Sequence, residues 1–215
     1  VEQWRRAVDG RAEDLLSYYQ KAHDLITSHA AQQAFDIRAE SSSLRQRYGH
    51  STIGQCALLA RRLVESGCRF VGVDHAGWDT HFTCFPTLQD DLIPQADRAF
   101  SALVSDLEER GLLDSTLVIM MGEMGRTPRV NKNAGRDHWG KAQSILIAGG
   151  GTHPGQVIGA TDEHANEPVS DPVSIQDLHH TIYRLMGIDP GKTYYTPLGR
   201  PVPIGSGGKM IPGLV

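Results

Sequence analysis

The sequence predicts an α/β fold, a parallel or mixed sheet flanked by helices, on three observations. Short apolar runs at Cys68–Val73, Thr116–Met121 and Ser144–Ala148 have the length of buried strands. Longer segments with an apolar residue every three or four positions alternate with these runs, the order that strand–helix–strand units require. The first two runs each lead into a dense polar cluster, and ligands of open parallel sheets bind where such loops converge, at the carboxyl ends of the strands.

In chain order, Trp4, Val8, Ala12, Leu15, Tyr19, Ala22 and Ile26 form one stripe of an amphipathic helix over Glu2–Ser28. A shorter helix is expected over Ala30–Glu40, then a polar link over Ser41–His50. Ile53, Cys56, Ala57, Ala60, Leu63 and Val64 share one face of a helix over Ser51–Glu65, which Gly67 is placed to terminate. A long helix is expected over Pro86–Arg110, with Leu88, Leu92, Ala96, Phe100, Leu103 and Leu107 inward, kinked at Pro94 and ended by Gly111. The strands on either side of it are expected to pair in parallel through a right-handed crossover. Gly149–Gly151 reads as a turn, Gln156–Ala160 as a short strand, and Ser174–Met186 as a helix with the capping pair Ser174 and Asp177. The chain thus divides into a helical segment 1–50, an α/β core 51–190 and a Gly/Pro-rich loop 191–215.

Composition narrows the function. The 215 residues are 40% hydrophobic and 21% charged, with a net charge of −4 and a pI near 6.2, which gives no basic footprint for nucleic acid. No apolar run approaches the length of a membrane span. Cys56, Cys68 and Cys84 are odd in number and lack CxxC spacing, so they read as buried thiols rather than as a disulfide or zinc framework. There is no signal-like stretch at Val1.

The polar clusters are Asp74-His-Ala-Gly-Trp-Asp-Thr-His81, Gly122-Glu-Met-Gly-Arg-Thr-Pro128 and Gly135-Arg-Asp-His-Trp-Gly140. Carboxylates together with neutral imidazoles suit Zn²⁺, Mn²⁺ or a related cation, and Asp79, His81, Glu123, Asp137 and His138 are the candidate ligands. Taken singly, an Asp/His pair is as readily a structural hydrogen bond. Their position after two strands of one expected sheet favours ligation. Arg126 is the candidate catalytic residue, as a planar clamp on an anionic oxygen; an ion pair with Glu123 is the equal alternative. Trp78 and Trp139 are expected to pack their loops, His179 to sit in the core, and His153 and His164 to be solvated. No GxSxG elbow occurs, and no nucleophile is evident.

Leu59-Ala-Arg-Arg-Leu-Val-Glu-Ser-Gly67, Gly77-Trp-Asp-Thr-His81, Gly122-Glu-Met-Gly-Arg-Thr-Pro128, Gly135-Arg-Asp-His-Trp139 and Asp177-Leu-His-His-Thr-Ile-Tyr183 resemble one family, domain of unknown function 1501. That family resembles the alkaline phosphatase-like superfamily of phosphatases, sulfatases and phosphomutases. The resemblance implies an alkaline phosphatase-like fold, incomplete in this chain, and export through a twin-arginine signal. It also implies that this chain corresponds to the later portion, the nucleophile and a first metal-binding Asp lying upstream. By position, Asp79 and His81 look like the superfamily's earlier metal pair and His138 like its later histidine. Glu123 stands where the pattern Ser-Asp-His-Gly or Ser-Asp-Asn-Gly has its Asp, while Met124 replaces a harder ligand.

The expected function is therefore metal-dependent hydrolysis of a phosphate or sulfate ester by the full-length protein, with Zn, Mn or Ca as the divalent cofactor and a small anionic ester as the substrate. Asp137 is expected as a ligand or as an orienter of one. The competing expectation, supported by Met124, is a non-catalytic binding or assembly protein that keeps a hydrolase-like fold with a degenerate metal site.

Overall fold

The computed structural model describes residues 15–24, 27–205 and 207–215. Of the first expected stripe, Trp4, Val8, Ala12 and Ile26 lie outside the described residues. Residues 15–24 are helical, but Leu15 and Tyr19 face solvent there, so this part of the stripe is not buried. The chain divides into two units at Asp74/His75.

The first unit is helical. Helix α1 (His29–Phe35) starts at Ser28, whose hydroxyl accepts from Ala31 N, and a 3-10 turn follows at Ile37–Ala39. The expected polar link is instead helix α2 (Ser42–Tyr48): Ser41 Oγ accepts from Leu44 N at 3.1 Å, and Tyr48 is fully buried. Serines read as linker residues act here as a helix cap, since a hydroxyl satisfies an otherwise orphan N–H. Helix α3 (Thr52–Glu65) begins at the Ser51 cap. It ends as expected at Gly67, where φ is 98° and Gly67 N and Cys68 N bond back to Val64 O and Leu63 O.

One face of α3 buries Ala57, Leu58 and Ala60, and beside them Arg61 is buried in an ion network. Arg61 reaches Glu40 at 2.6 Å and also Glu65; Arg62 pairs with Glu40 as well and donates through Nε to Ala34 O at 2.9 Å. Burial alone pushes the Glu40 carboxyl up, but the hydrogen bonds and charges of Arg61 and Arg62 outweigh it and hold the group below its ordinary 4.5. A carboxyl depressed by folding contributes stability above its unfolded value and loses it as pH falls through the folded one. Acidification below pH 4.5 is therefore expected to loosen the α1–α3 packing. Amide exchange along α3 should quicken over that window in the native protein, and Glu40→Gln should abolish the step.

The run Cys68–Val73 forms no strand ladder among the described residues. Phe70 is 79% exposed, and Cys68 is exposed rather than buried, whereas Cys84 is buried and Cys56 half-buried. Apolarity set the length of this segment, but a strand also needs a neighbour to take its N–H and C=O groups.

In the second unit, a helical turn α4 (Cys84–Thr87) runs through a π turn at Leu88–Leu92 into α5 (Ile93–Glu109). Pro94 lies in the first turn of α5 rather than at a mid-helix kink. The wider π turn before it, with Ile93 N bonded to Leu88 O, accommodates its missing donor. Ala96, Ala99, Ala102 and Leu107 are buried, and Gly111 ends the helix with φ 66°.

Strand β1 (Val118–Met120) pairs antiparallel with β4 (Leu146–Ala148), with Ile119 opposite Ile147; β2 (Gly125–Arg126) pairs with β3 (His138–Trp139). Two further pairs are β5 (Ala160–Thr161) with β6 (Pro168–Ser170), and β7 (Thr193–Tyr195) with β8 (Pro201–Pro203). The architecture is mixed helix and small strand pairs, α/β in a loose sense, and every ladder among the described residues is two-stranded and antiparallel. The expected parallel crossover pair is thus corrected: β1 meets β4, a strand that follows it, because the run before α5 joins no ladder.

Helix α6 (Ile175–Leu185) carries the expected capping box of Ser174 and Asp177. Leu178 packs with Ile211 and Leu214, against Ile145, Ile147, Ile158 and Ile182. Residues 191–215, expected as loop, hold the β7–β8 hairpin and then a tail whose Lys209 N and Ile211 N bond to Asp177 Oδ1 and Thr181 Oγ1. His179 is exposed beside Tyr183 rather than in the core. No helix among the described residues is long and apolar enough to cross a membrane.

Candidate metal centre

Two polypeptide segments of the second unit, 79–84 and 126–138, are sewn together by their backbones. Arg136 N bonds to Thr80 O, Thr83 N to Asn133 O and Cys84 N to Ala134 O, at 2.9–3.1 Å. Gly135 is buried where the segments touch: a Cβ on it would lie 1.9 Å from His81 O, so only glycine permits the approach. In β2–β3, Arg126 stands directly opposite His138, which sends both side chains to the same face. That face receives Asp79 and His81 from the other segment.

The contacts there centre on one oxygen. Asp79 Oδ1 lies 2.6 Å from Arg126 Nη2, 2.9 Å from His138 Nε2 and 3.0 Å from His81 Nε2. The two Nε2 atoms are 3.2 Å apart. Hydrogen bonds from His138 first and Arg126 second hold the Asp79 carboxyl down to about 2, from an ordinary 3.8. On the far side of the His81 ring, Nδ1 meets Asp137 Oδ1 at 2.7 Å, and Asp137 also receives Asn131 Nδ2 at 3.1 Å. These two bonds hold Asp137 below the ordinary carboxyl range.

Both nitrogens of His81 face a carboxylate, Nδ1 that of Asp137 at 2.7 Å and Nε2 that of Asp79 at 3.0 Å. A carboxylate only accepts, so a neutral ring can serve one of the two with its single proton. With that proton on Nδ1, at the shorter contact, Nε2 presents a lone pair toward Asp79 Oδ1 and His138 Nε2, the arrangement that ligation of a cation requires.

The donor set fits a cation. Asp79, His81 and His138 each offer one ligand atom, all within 4.8 Å of one another. Four ligands about 2.05 Å from a tetrahedral Zn²⁺ stand roughly 3.3 Å from each other, and the separations here are 2.9–3.2 Å.

Glu123 lies exposed between β1 and β2 and does not join this three-residue group. Asp137 sits on the outward nitrogen of His81, the place of an orienting carboxylate rather than of a ligand. Of the two alternatives for Arg126, the carboxylate it meets is that of Asp79, not Glu123; its Nη1 donates to Arg136 O at 3.4 Å. Trp78 Nε1 donates to His75 Nδ1, and Trp139 Nε1 to Asn166 O. Asn131 was not singled out by sequence, although Asn131-Lys-Asn-Ala-Gly135 carries the signal of an Asn turn.

Fold and cluster together define a mixed α/β chain with an Asp/His group able to hold a metal ion. The chain belongs to the family described as protein of unknown function (DUF1501), which matches residues 2–215. No curated protein and no solved structure matches it.

Proposed function

We propose that the full-length protein is a metal-dependent hydrolase of phosphate or sulfate esters, similar to the alkaline phosphatase-like superfamily, and that Asp79, His81 and His138 hold its cation. The observation that carries this reading is the convergence of two imidazole nitrogens and a carboxylate oxygen within 4.8 Å of one another. Two imidazoles favour Zn²⁺ or Mn²⁺ over Ca²⁺, which takes six to eight oxygen ligands. A cation bound there would polarise an ester oxygen and lower the pKa of a bound water. Asp137 can hold the His81 proton on Nδ1, which would leave Nε2 free to ligate. Arg126 sets a guanidinium at the rim of the group, where a planar fork suits the oxygens of a phosphate or sulfate. Asp79 is 66% exposed, so the group is open to a solute.

A second reading, a binding or assembly protein without turnover, draws support from Glu123 standing outside the group and from Met124, which offers no hard oxygen or nitrogen. Offering aryl phosphates and aryl sulfates to the full-length protein with added Zn²⁺, Mn²⁺ or Ca²⁺ separates the two. Turnover that needs Zn²⁺ or Mn²⁺ and vanishes in Asp79→Asn is expected. Absence of turnover with every metal, alongside metal-independent binding of the esters, would establish the second reading instead.

A further inference from the structure

We infer that Asn131 is a positioning residue for the cation site: one carboxamide nitrogen grips His81 twice, at its backbone and through Asp137. The inference rests on the reading of Asp79, His81 and His138 as cation ligands.

The Asn131 side chain is fully engaged. Its Nδ2 donates to His81 O at 3.0 Å and to Asp137 Oδ1 at 3.1 Å. Its Oδ1 accepts from Asn133 N at 2.9 Å and from Gly135 N at 3.0 Å. The accepted bonds fold the turn 131–135, and Asn131 N closes it by bonding Gly135 O at 2.8 Å. The donated bonds do something else. A turn needs no contact with His81, yet both donations end on His81 or on the carboxylate that holds its ring.

The geometry of the ring depends on that pair. Rotation of an imidazole about its bond to Cβ swings Nε2 away from a fixed point, and a single hydrogen bond at Nδ1 resists this only if its acceptor is itself held. Asp137 is about half exposed and needs a second anchor. Asn131 supplies it at the same oxygen, Oδ1, that receives His81 Nδ1, while pinning the His81 carbonyl with the same amide group. Thr127 Oγ1 completes the support by accepting from Asp137 N at 3.1 Å. Partners of this outer kind commonly change metal affinity by about 10- to 100-fold when removed.

Asn131→Ser tests the role, because a serine hydroxyl can still support a turn of this type but is too short to reach His81 or Asp137. Zn²⁺ affinity, read by competition with a chromogenic chelator, is expected to fall about 10- to 100-fold, as it should in Asp137→Asn. The double variant should lose clearly less than the product of the two single losses, since both changes cut the path through Asp137 while only Asn131→Ser also frees the His81 carbonyl. The visible bands of the Co²⁺ form should shift alike in the two single variants, a ligand-geometry signature that general loosening of the turn does not reproduce. Wild-type affinity in Asn131→Ser, or losses that simply multiply in the double variant, overturns the assignment while leaving the cation site standing. A wild-type protein that binds neither Zn²⁺ nor Co²⁺ sinks the site itself and this inference with it.

Discussion

Replacing His138 with alanine is expected to weaken Zn²⁺ binding by roughly a hundred- to a thousandfold. Sites of four protein ligands gain about 10–16 kcal/mol in all, or about 2.5–4 kcal/mol per ligand. His138, as one of three ligands, is expected to contribute on that scale, and each 1.4 kcal/mol is about a factor of ten. His138 has a further role here: its Nε2 is the largest cause of the low Asp79 carboxyl pKa. Its loss should let that pKa rise from about 2 back toward 3.8, observable by carboxyl NMR titration of the metal-free protein. Glu123→Gln is the matched control. Lying outside the ligand group, it should alter affinity by no more than about threefold, the scale of a solvent-screened charge. Equal zinc affinity in His138→Ala and wild type, or a Glu123→Gln loss as large as that of His138→Ala, would remove His138 from the ligand set.

Gly135→Ala should damage stability and site together. Its Cβ would meet His81 O at 1.9 Å, His81 C at 2.0 Å and Phe82 N at 2.5 Å, all of them backbone atoms with no rotamer to change. The clash forces the two segments that carry Asp79, His81 and His138 apart. Overpacking of this kind costs about 3 kcal/mol, which corresponds to a fall in Tm of roughly 6–12 °C for a unit of this size. Gly140→Ala makes the comparison clean, because a Cβ there meets nothing within 4 Å. It should leave both Tm and zinc affinity close to wild type. Calorimetry and chelator competition on the same two variants check the pairing of effects. A Gly135→Ala protein with wild-type zinc affinity would mean that the contact between the segments does not shape the cluster.

Local chemistry was legible residue by residue. The Ser174/Asp177 capping box and the Gly67 and Gly111 stops follow from spacing of four residues or fewer, and the structure has them. The stripes of α3 and α5 were found only in part, since Leu58, Arg61, Ala99 and Ala102 are buried beside the expected Ala57, Ala60, Leu92, Ala96 and Leu107. The link at Ser41–His50 was misread because a serine serves a loop and a helix cap equally well, and the buried contacts of Tyr48 are what select the cap. At the cluster, residue types and the Asp-x-His and Asp-His spacings marked two stretches whose Asp79, His81 and His138 the structure brings together. For Asp137 they left ligand and orienter both open, and only the structure places it on one imidazole while Asp79 meets two imidazoles and Arg126.

The sequence by itself determined where α3 and α6 begin and end, and which side chains are chemically fit to hold a cation. Helical hydrogen bonds and caps join near neighbours, so their information is written locally. Only the tertiary structure decided that β1 meets β4 in antiparallel register, that the tail at Ile211 and Leu214 is buried, and that Arg126 faces Asp79 rather than Glu123. Those pairings join residues far apart in the chain: 47 positions from Asp79 to Arg126, 59 from Asp79 to His138, and 50 from His81 to Asn131. Across such separations no local preference chooses a partner. The choice falls to whichever packing leaves the backbone groups and charges satisfied at once.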